Sequence, residues 1–499
     1  MRICVKDNSA YFGPTQIGKM KRVLIFFSIL MPGSFLLFFL VSCNNGRVKQ
    51  AKTKQNVSVG SVTFHPGVVY PDVKCSGHPG ESYALVLPEN YQAGKQFPVI
   101  FFFDAHARGW LPVKRYRALA DTFGFILVAS NNSKNGLDAP QRNRIIYNFM
   151  ADVEKRFSLD PQRIYTGGFS GGARIAAGIG LTNRDIAGTI GCAAGFPGLQ
   201  HINNKQLAYV GIVGNTDFNY LEMKQLSEEL ETAHWRHCLL VFDGHHQWPP
   251  LQTMKKAFLF LQTDAMRRHF IPVNDSTILF VKNLFEKERI NAVRKKDLLL
   301  QLQIDRQAVA FLEGLTDINS YRKEIEKLLQ DPGLKKIRQQ QAALAKEEQQ
   351  WQQLYAEALG NKDAGWWKTA LGHLAGMEKT AGTRAQKLMV RRLYNYLSLM
   401  AYLYADGSLK NHNTEAARKY LMIYQFVDPT NPEVYFLEAQ RFAMTGQTQY
   451  VLPALQKAAD NGFYDAKRME KDPYFTGLQQ NLQFKKILRQ VMANPVKEE

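Results

Sequence analysis

The stretch IYTGGFSGGARIAAG, Ile164 to Gly178, decides how the chain is read. A short apolar run enters a cluster of glycines around one serine and leaves into an alanine-rich segment. A packed core does not need that pattern; a nucleophile raised on a sharp turn does. Within it, Gly168-Phe169-Ser170-Gly171-Gly172 is G-x-S-x-G. Where a chain turns from strand to helix in two or three residues, the central residue is held in a strained conformation. Side chains on its neighbours collide, so glycine is favoured on both sides. The turn lifts the Ser170 hydroxyl off the sheet. It also aims the first amides of the following helix, Gly171 N–H among them, at whatever Ser170 attacks. A glycine-rich turn with an exposed serine reads the same way in isolation, so the case depends on an acid and a histidine placed to serve it.

Outward from the turn, strands and helices alternate. SYALVLPENY (from Ser82) reads as a strand ending at Pro88, and Val99 to Phe103 in QFPVIFFFDAHARG as a strand buried on both faces. WLPVKRYRALADTFG reads as one helix, FGFILVAS as a strand, and RNRIIYNFMADVEKRFSLD as an amphipathic helix. RIYTG feeds the serine turn; GTIGCAAGF, QLAYVGIVG and HCLLVFDG are further strands. This alternation predicts an α/β domain built on a doubly wound, mostly parallel sheet. Functional groups in such sheets collect on loops at the carboxyl ends of the strands.

Three such loops matter. One is the serine turn. The second, Gly214-Asn215-Thr216-Asp217-Phe218, follows AYVGIVG and precedes the helical pattern YLEMKQLSEELET. Alone, Asp217 reads as a turn or helix-capping residue. The third, His245-His246-Gln247-Trp248-Pro249, follows CLLVFDG. Jointly, Ser170, Asp217 and His246 each follow a strand of one sheet, in the order Ser, Asp, His. The residue types suit acyl transfer. A serine hydroxyl is a poor nucleophile until a base takes its proton, histidine titrates near neutrality and can take it, and a carboxylate orients the imidazole.

The span from about Cys75 to Gln262 resembles the esterase branch of the α/β-hydrolases that includes polyhydroxybutyrate depolymerases and feruloyl or acetyl-xylan esterases. LDPQRIYTGGFSGGA, GNTD and GHHQWP carry the resemblance. In that family a D-P-x-R-I/V-Y segment precedes the serine elbow, here Asp160 to Tyr165, and the histidine lies in a G-G-H-x-W-P loop. The resemblance therefore implies His246 as the catalytic histidine, with His245 standing where the family has glycine. It implies an oxyanion hole made by backbone N–H groups, one from Gly171 and one from Ala105 or His106; His106 could contact substrate instead. Phe169 and Trp248 are candidates for the substrate pocket, Trp248 alternatively packing beside the imidazole or simply in the core. Asp104 is a rival acid, placed behind Asp217 by chain order. The mechanism implied needs no metal and no cofactor.

At 499 residues the chain is expected to form two or three domains. Lys19, Lys21 and Arg22 precede an apolar run, Val23 to Val41, that ends in Leu40-Val41-Ser42-Cys43. This reads as an export signal. L-V-S-C resembles a bacterial lipobox, which implies that Cys43 is lipidated and that the mature protein is anchored to the outer membrane, with the periplasmic side favoured by the basic tether. A plain transmembrane anchor is the alternative, since the run is almost long enough to span a bilayer; Met20 is an alternative start. Cleavage leaves Cys75, Cys192 and Cys238, an odd number with no assignable pairing and no metal-site spacing. Much of the net charge of +19 is spread through the C-terminal helices. With no zinc-finger spacing and no compact arginine-rich element, it reads as a solvated basic face, and no nucleic-acid partner is expected.

Beyond about Asp264 the strands stop. RQQQAALAKEEQQWQQLYAEAL reads as a long amphipathic helix. AARKYLMIYQFVDPTNP and VLPALQKAADNGFYDA fall in step at roughly 34 residues, the tetratricopeptide period, so this part resembles a helical-repeat domain able to hold a protein partner; a helical bundle without a partner is the alternative. Trp366 and Trp367 read as core filling, with a surface anchor as the other reading. The expected organisation is a signal over 1–42, a polar tether over 43–70, an α/β-hydrolase domain over 71–265, a helical linker over 266–390 and tetratricopeptide-like repeats over 391–495. The expected function is hydrolysis of carboxylic esters through an acyl-enzyme, the substrate being a glycan ester, a polyester or a small acyl ester. A serine peptidase of the same fold, or a non-catalytic binding protein at the membrane, are the alternatives.

Overall fold

The structure, a computed structural model, describes residues 57–59, 62–196 and 202–495. The expected signal segment and Cys43 lie outside the described residues. A ribbon of β1 (Val57–Val59) and β2 (Val62–Phe64) precedes the main sheet. That sheet is formed by β3 (Val69–Cys75), β4 (His78–Val86), β5 (Phe97–Asp104), β6 (Ile126–Ser130), β7 (Leu159–Phe169), β8 (Ile186–Cys192), β9 (Ala208–Gly214) and β10 (His237–Phe242). Its spatial order is β3-β4-β6-β5-β7-β8-β9-β10. β4 runs antiparallel to β3 and β6, and every pair from β6 through β10 is parallel. Crossover helices are α1 (Trp110–Arg115), α2 (Arg117–Phe123), α3 (Ala139–Arg156), α4 (Gly171–Thr182) and α5 (Tyr220–Thr232), and α6 (Leu251–Arg267) follows the last strand. A mostly parallel sheet in this order, with helices packed on both faces, is the α/β-hydrolase fold.

The central strand explains the layering. β5 is buried at every position. Its residues alternate between faces: Ile100 and Phe102 join one apolar cluster, with Tyr165, Ile190 and Val210, while Val99, Phe101 and Phe103 join another, with Val128 and Phe149. Because β5, β7, β9 and β10 are parallel, their carboxyl ends and the loops that follow share one edge of the sheet.

The segment expected to be one helix over 110–123 is two. Tyr116 breaks it with φ −105° and ψ 13°, and its hydroxyl donates to Pro249 O at 2.7 Å, tying the break to the histidine loop. The expected tether over 43–70 is also too long, since Phe64 is fully buried against Phe157 and β3 begins at Val69.

The helical half consists of α7 (Asp275–Arg294), α8 (Leu298–Leu312), α9 (Asn319–Gln330), α10 (Pro332–Asn361), α11 (Ala364–Thr380), α12 (Arg384–Lys410), α13 (Thr414–Val427), α14 (Pro432–Met444), α15 (Val451–Asp460), α16 (Ala466–Lys471) and α17 (Leu482–Ala493). Polar caps start several of them: Asp331 before Pro332, Asn413, Asn431, and a Thr383–Gln386 capping box on α12. The boundary expected at residue 265 is displaced. Phe311 of α8 packs against Phe260 of α6 and Phe285 of α7, and Gln307 Nε2 donates to Leu239 O of β10 at 2.9 Å. The apolar cluster of the sheet runs on through Ile318 and Tyr321. β10 needs that cover, because it is an edge strand. A second core, from Tyr355 onward, belongs to α10–α17 and contains Trp367, which is fully buried. Consecutive helices there pack in pairs, α12 with α13 and α14 with α15. Among the described residues no helix is long and apolar enough to cross a membrane.

Candidate active site

Ser170 stands between β7 and α4 with φ 55° and ψ −121°. Its N–H donates to Cys192 O of β8 at 2.9 Å, which pins the turn to the neighbouring strand. The flanking glycines are required by space. A Cβ on Gly168 would collide with the backbone of Gly172, and one on Gly172 with the carbonyl of Phe103 in β5. The helix therefore starts in contact with the sheet, and the serine has nowhere to go but outward.

The Asp217 and His246 loops are zipped together before they reach the serine. Asn215 N–H donates to Phe242 O at 2.9 Å, and Thr216 N–H and Oγ1 donate to Gly244 O at 3.0 and 2.8 Å. Gly214 is glycine because a Cβ there would strike the Gly244 and His245 carbonyls. The result brings the three expected residues into line. His246 Nε2 is 2.9 Å from Ser170 Oγ, and Nδ1 is 3.0 Å from each oxygen of Asp217. The Asp217 side chain is fully buried, that of His246 20% exposed. Asn219 N–H also donates to Asp217 Oδ1 at 2.8 Å, so the carboxylate has partners beyond the imidazole.

Asp104, the rival acid, faces elsewhere. It accepts from Arg108 Nε and a terminal guanidinium nitrogen, both at 3.1 Å, from His106 N–H at 2.8 Å and from Trp248 Nε1 at 2.9 Å. Burial opposes its ionisation, but the Arg108 guanidinium and these donors outweigh burial and hold the carboxyl below its ordinary value. Asp104 thus anchors the histidine loop through Trp248.

Two expectations are corrected by this arrangement. The His106 amide is committed to the Asp104 carboxylate, so of the two oxyanion candidates on that loop only Ala105 stays open. Phe169 and Trp248 do not line an open pocket: they are 3% and 0% exposed. Phe169 lies under the imidazole, ring centroids 4.8 Å apart, and Trp248 packs against Phe169 at 5.6 Å and against Phe102 and Tyr116. They support the histidine from below because the loop's Trp248 is drawn inward by Asp104.

Two neighbours escaped sequence reasoning. Phe218 covers the other side of the imidazole at 4.2 Å, so His246 sits between two aromatic rings. Its place next to Asp217 was the available signal. Asn135 comes from the loop between β6 and α3. Its N–H donates to Ala105 O at 2.9 Å, and its side chain lies directly over Gly171, where any Cβ would strike it. No motif marks it. Only glycine fits at 171, because the Asn135 side chain fills the space a Cβ would take.

Cys75, Cys192 and Cys238 are all buried and unpaired. Burial pushes the Cys75 and Cys238 thiols up to about 12. Among the described residues no group of histidine, cysteine and carboxylate side chains is placed to hold a metal ion.

No family model matches the chain, and no curated protein matches it. Among solved structures it is similar to an S-formylglutathione hydrolase from Staphylococcus aureus, at 15% identity over 39% of this chain and 94% of that one, with a TM-score of 0.32. It is similar to a ferulic acid esterase, at 15% identity over 37% and 92% of the two chains with a TM-score of 0.31. It is also similar to the esterase PE8, at 17% identity over 38% and 99% with a TM-score of 0.30.

Proposed function

We propose that the chain is a serine hydrolase that cleaves carboxylic esters through an acyl-enzyme. The observation that carries this reading is the unbroken line from Ser170 Oγ through the His246 imidazole to the buried Asp217 carboxylate, on a serine held at positive φ. With Nδ1–H donating to Asp217, Nε2 is the base. It takes the Ser170 proton as Oγ bonds to the ester carbonyl carbon. The oxyanion that forms receives the Gly171 N–H at the start of α4, and an N–H from Ala105 is the second donor. His246 then gives its proton to the leaving alkoxide, the C–O bond breaks, and the alcohol departs. Water, deprotonated by the same nitrogen, attacks the acyl carbon, and Ser170 leaves with the proton returned. The protein groups named account for each proton transfer without a cofactor.

In the same reading Cys43 carries the lipid, the enzyme is held at the outer membrane facing the periplasm, and the paired helices of the second half form tetratricopeptide-like repeats with a surface for a protein partner. The substrate is an acylated glycan, a polyester or a small acyl ester.

The test is labelling of the purified mature protein by a fluorophosphonate, followed by short-chain acyl esters. Wild type is expected to label and to turn over ester. Ser170→Ala and His246→Ala, still folded, are expected to lose labelling and at least about a thousandfold in kcat/KM. A folded wild type that neither labels nor hydrolyses any short acyl ester refutes the reading.

A further inference from the structure

A loop that carries a catalytic carboxylate must find partners for its own peptide groups, or it moves. In the Asp217 loop the N–H groups of Asn215 and Thr216 go to the histidine loop. Their carbonyls go to the helical half. Arg392 of α12 donates from a terminal guanidinium nitrogen to Asn215 O at 2.8 Å, and Asn395 Nδ2, one turn on, donates to Thr216 O at 2.7 Å. The two acceptors are the peptide groups immediately before Asp217.

Arg392 is itself held rigidly. Glu348 of α10 accepts from its Nε at 2.8 Å and from its other terminal nitrogen at 2.7 Å. The pair's side chains are 8% and 0% exposed. The guanidinium plane also lies over Tyr220, at the start of α5, 4.7 Å from the ring centroid. A buried ion pair is a poor source of stability compared with apolar packing. What it supplies here is a donor with fixed direction, aimed at one carbonyl of the loop.

We propose that Arg392 and Asn395 are positioning residues for the triad. By clamping the peptide groups on either side of Thr216, α12 fixes the Asp217 carboxylate against His246, so that the helical half is part of the catalytic centre as well as an appendage to it. This rests on the serine-hydrolase reading above. Misplacing a reacting group by about 1 Å costs on the order of a hundredfold in rate, so loss of one of two clamps is expected to cost about tenfold.

Two variants test it. Asn395→Ala removes one hydrogen bond from a partly exposed side chain. Glu348→Leu with Arg392→Leu removes the other donor without leaving a lone buried charge. Melting temperature, fluorophosphonate labelling rate, kcat and KM on a short acyl ester, and amide hydrogen exchange over residues 215–219 are measured on the full chain. The expected result is melting within about 3 °C of wild type, labelling and kcat about tenfold lower, KM unchanged, and faster exchange over 215–219 but not in α4. Arg392→Lys, which keeps a charge beside Glu348 but loses the planar fork that aims a donor at Asn215 O, is expected to lower labelling and kcat as the double variant does. Wild-type labelling and wild-type exchange in both variants overturn the proposal and leave the serine-hydrolase reading standing. If wild type itself does not label, that reading falls, and exchange over 215–219 still decides the positioning role. Should the double variant not fold, Asn395→Ala decides alone.

Discussion

At φ 55° and ψ −121° Ser170 occupies backbone space that side chains avoid, a strain on the order of 1–3 kcal/mol. It persists because its N–H is held by Cys192 and because the peptides on both sides are packed against β5 and α4. Residue by residue, Ser170, Asp217 and His246 were legible in the sequence, since each chemistry needs one residue type and each type stands just after an apolar strand. The surroundings were not. Phe218 and Asn135 act through proximity alone, and the residue pairs that matter are separated by tens of positions. Asp104 is the instructive case: an acid beside the site whose partners, Arg108 and Trp248, give it a structural task. Its folded pKa lies below the ordinary value, so its contribution to stability is full above about pH 4 and is lost as pH falls through the folded pKa. Asp104→Asn is expected to cost about 3 kcal/mol at pH 7, as expected for a broken buried pair. The gap to wild type should close as pH falls below about 4. Urea titrations at pH 7 and pH 3 check both halves; an unchanged gap at pH 3 would contradict the assignment.

At the scale of elements, the serine turn is a junction between three neighbours. α4 follows β7 at once, with Ala173, Ala176, Ala177 and Gly180 on its buried side, which lets the helix lie close on the sheet. Gly172 makes the tightest approach to neighbouring backbone, because a Cβ there meets the Phe103 carbonyl, part of a central strand that cannot give way. Gly172→Ala is expected to destabilise by about 2–3 kcal/mol, and fluorophosphonate labelling should fall with it, since the first amides of α4 move. A urea midpoint and a labelling rate read the two effects separately. The strand runs were legible because a strand buried on both faces has to be continuously apolar. The break at Tyr116 was not, because the local pattern stays helical; the helix is interrupted by a hydrogen bond to Pro249, a residue 133 positions on.

At the scale of the whole molecule, the apolar packing on the sheet is separate from that of α10–α17, and the division between them falls well after the last strand. α7 and α8 complete the core around the sheet by covering α6 and the edge strand β10. A chain ended after residue 265 would expose Phe260, whose neighbour Phe311, itself packed on Phe285, is then missing. Burying a side chain of that size contributes about 2–3 kcal/mol. Such a chain is expected to aggregate, whereas one ended after residue 331 is expected to stay soluble and show a cooperative melt. Size-exclusion chromatography and thermal melts of the two chains decide it. Equal behaviour would place the boundary back at the end of α6.

The sequence alone determined the type of sheet, the serine on its turn and the order of the three site residues. Those features follow from local rules: which residues tolerate burial, which backbone needs glycine, and which side chain can carry a proton. Only the tertiary structure decided that Asp217 rather than Asp104 faces His246, that Trp248 is drawn into the core, and that α12 reaches the acid loop. These are contacts between positions far apart in the chain, as with Arg392 and Asn215. Their formation depends on how whole elements pack, and no local pattern of residues encodes that distance.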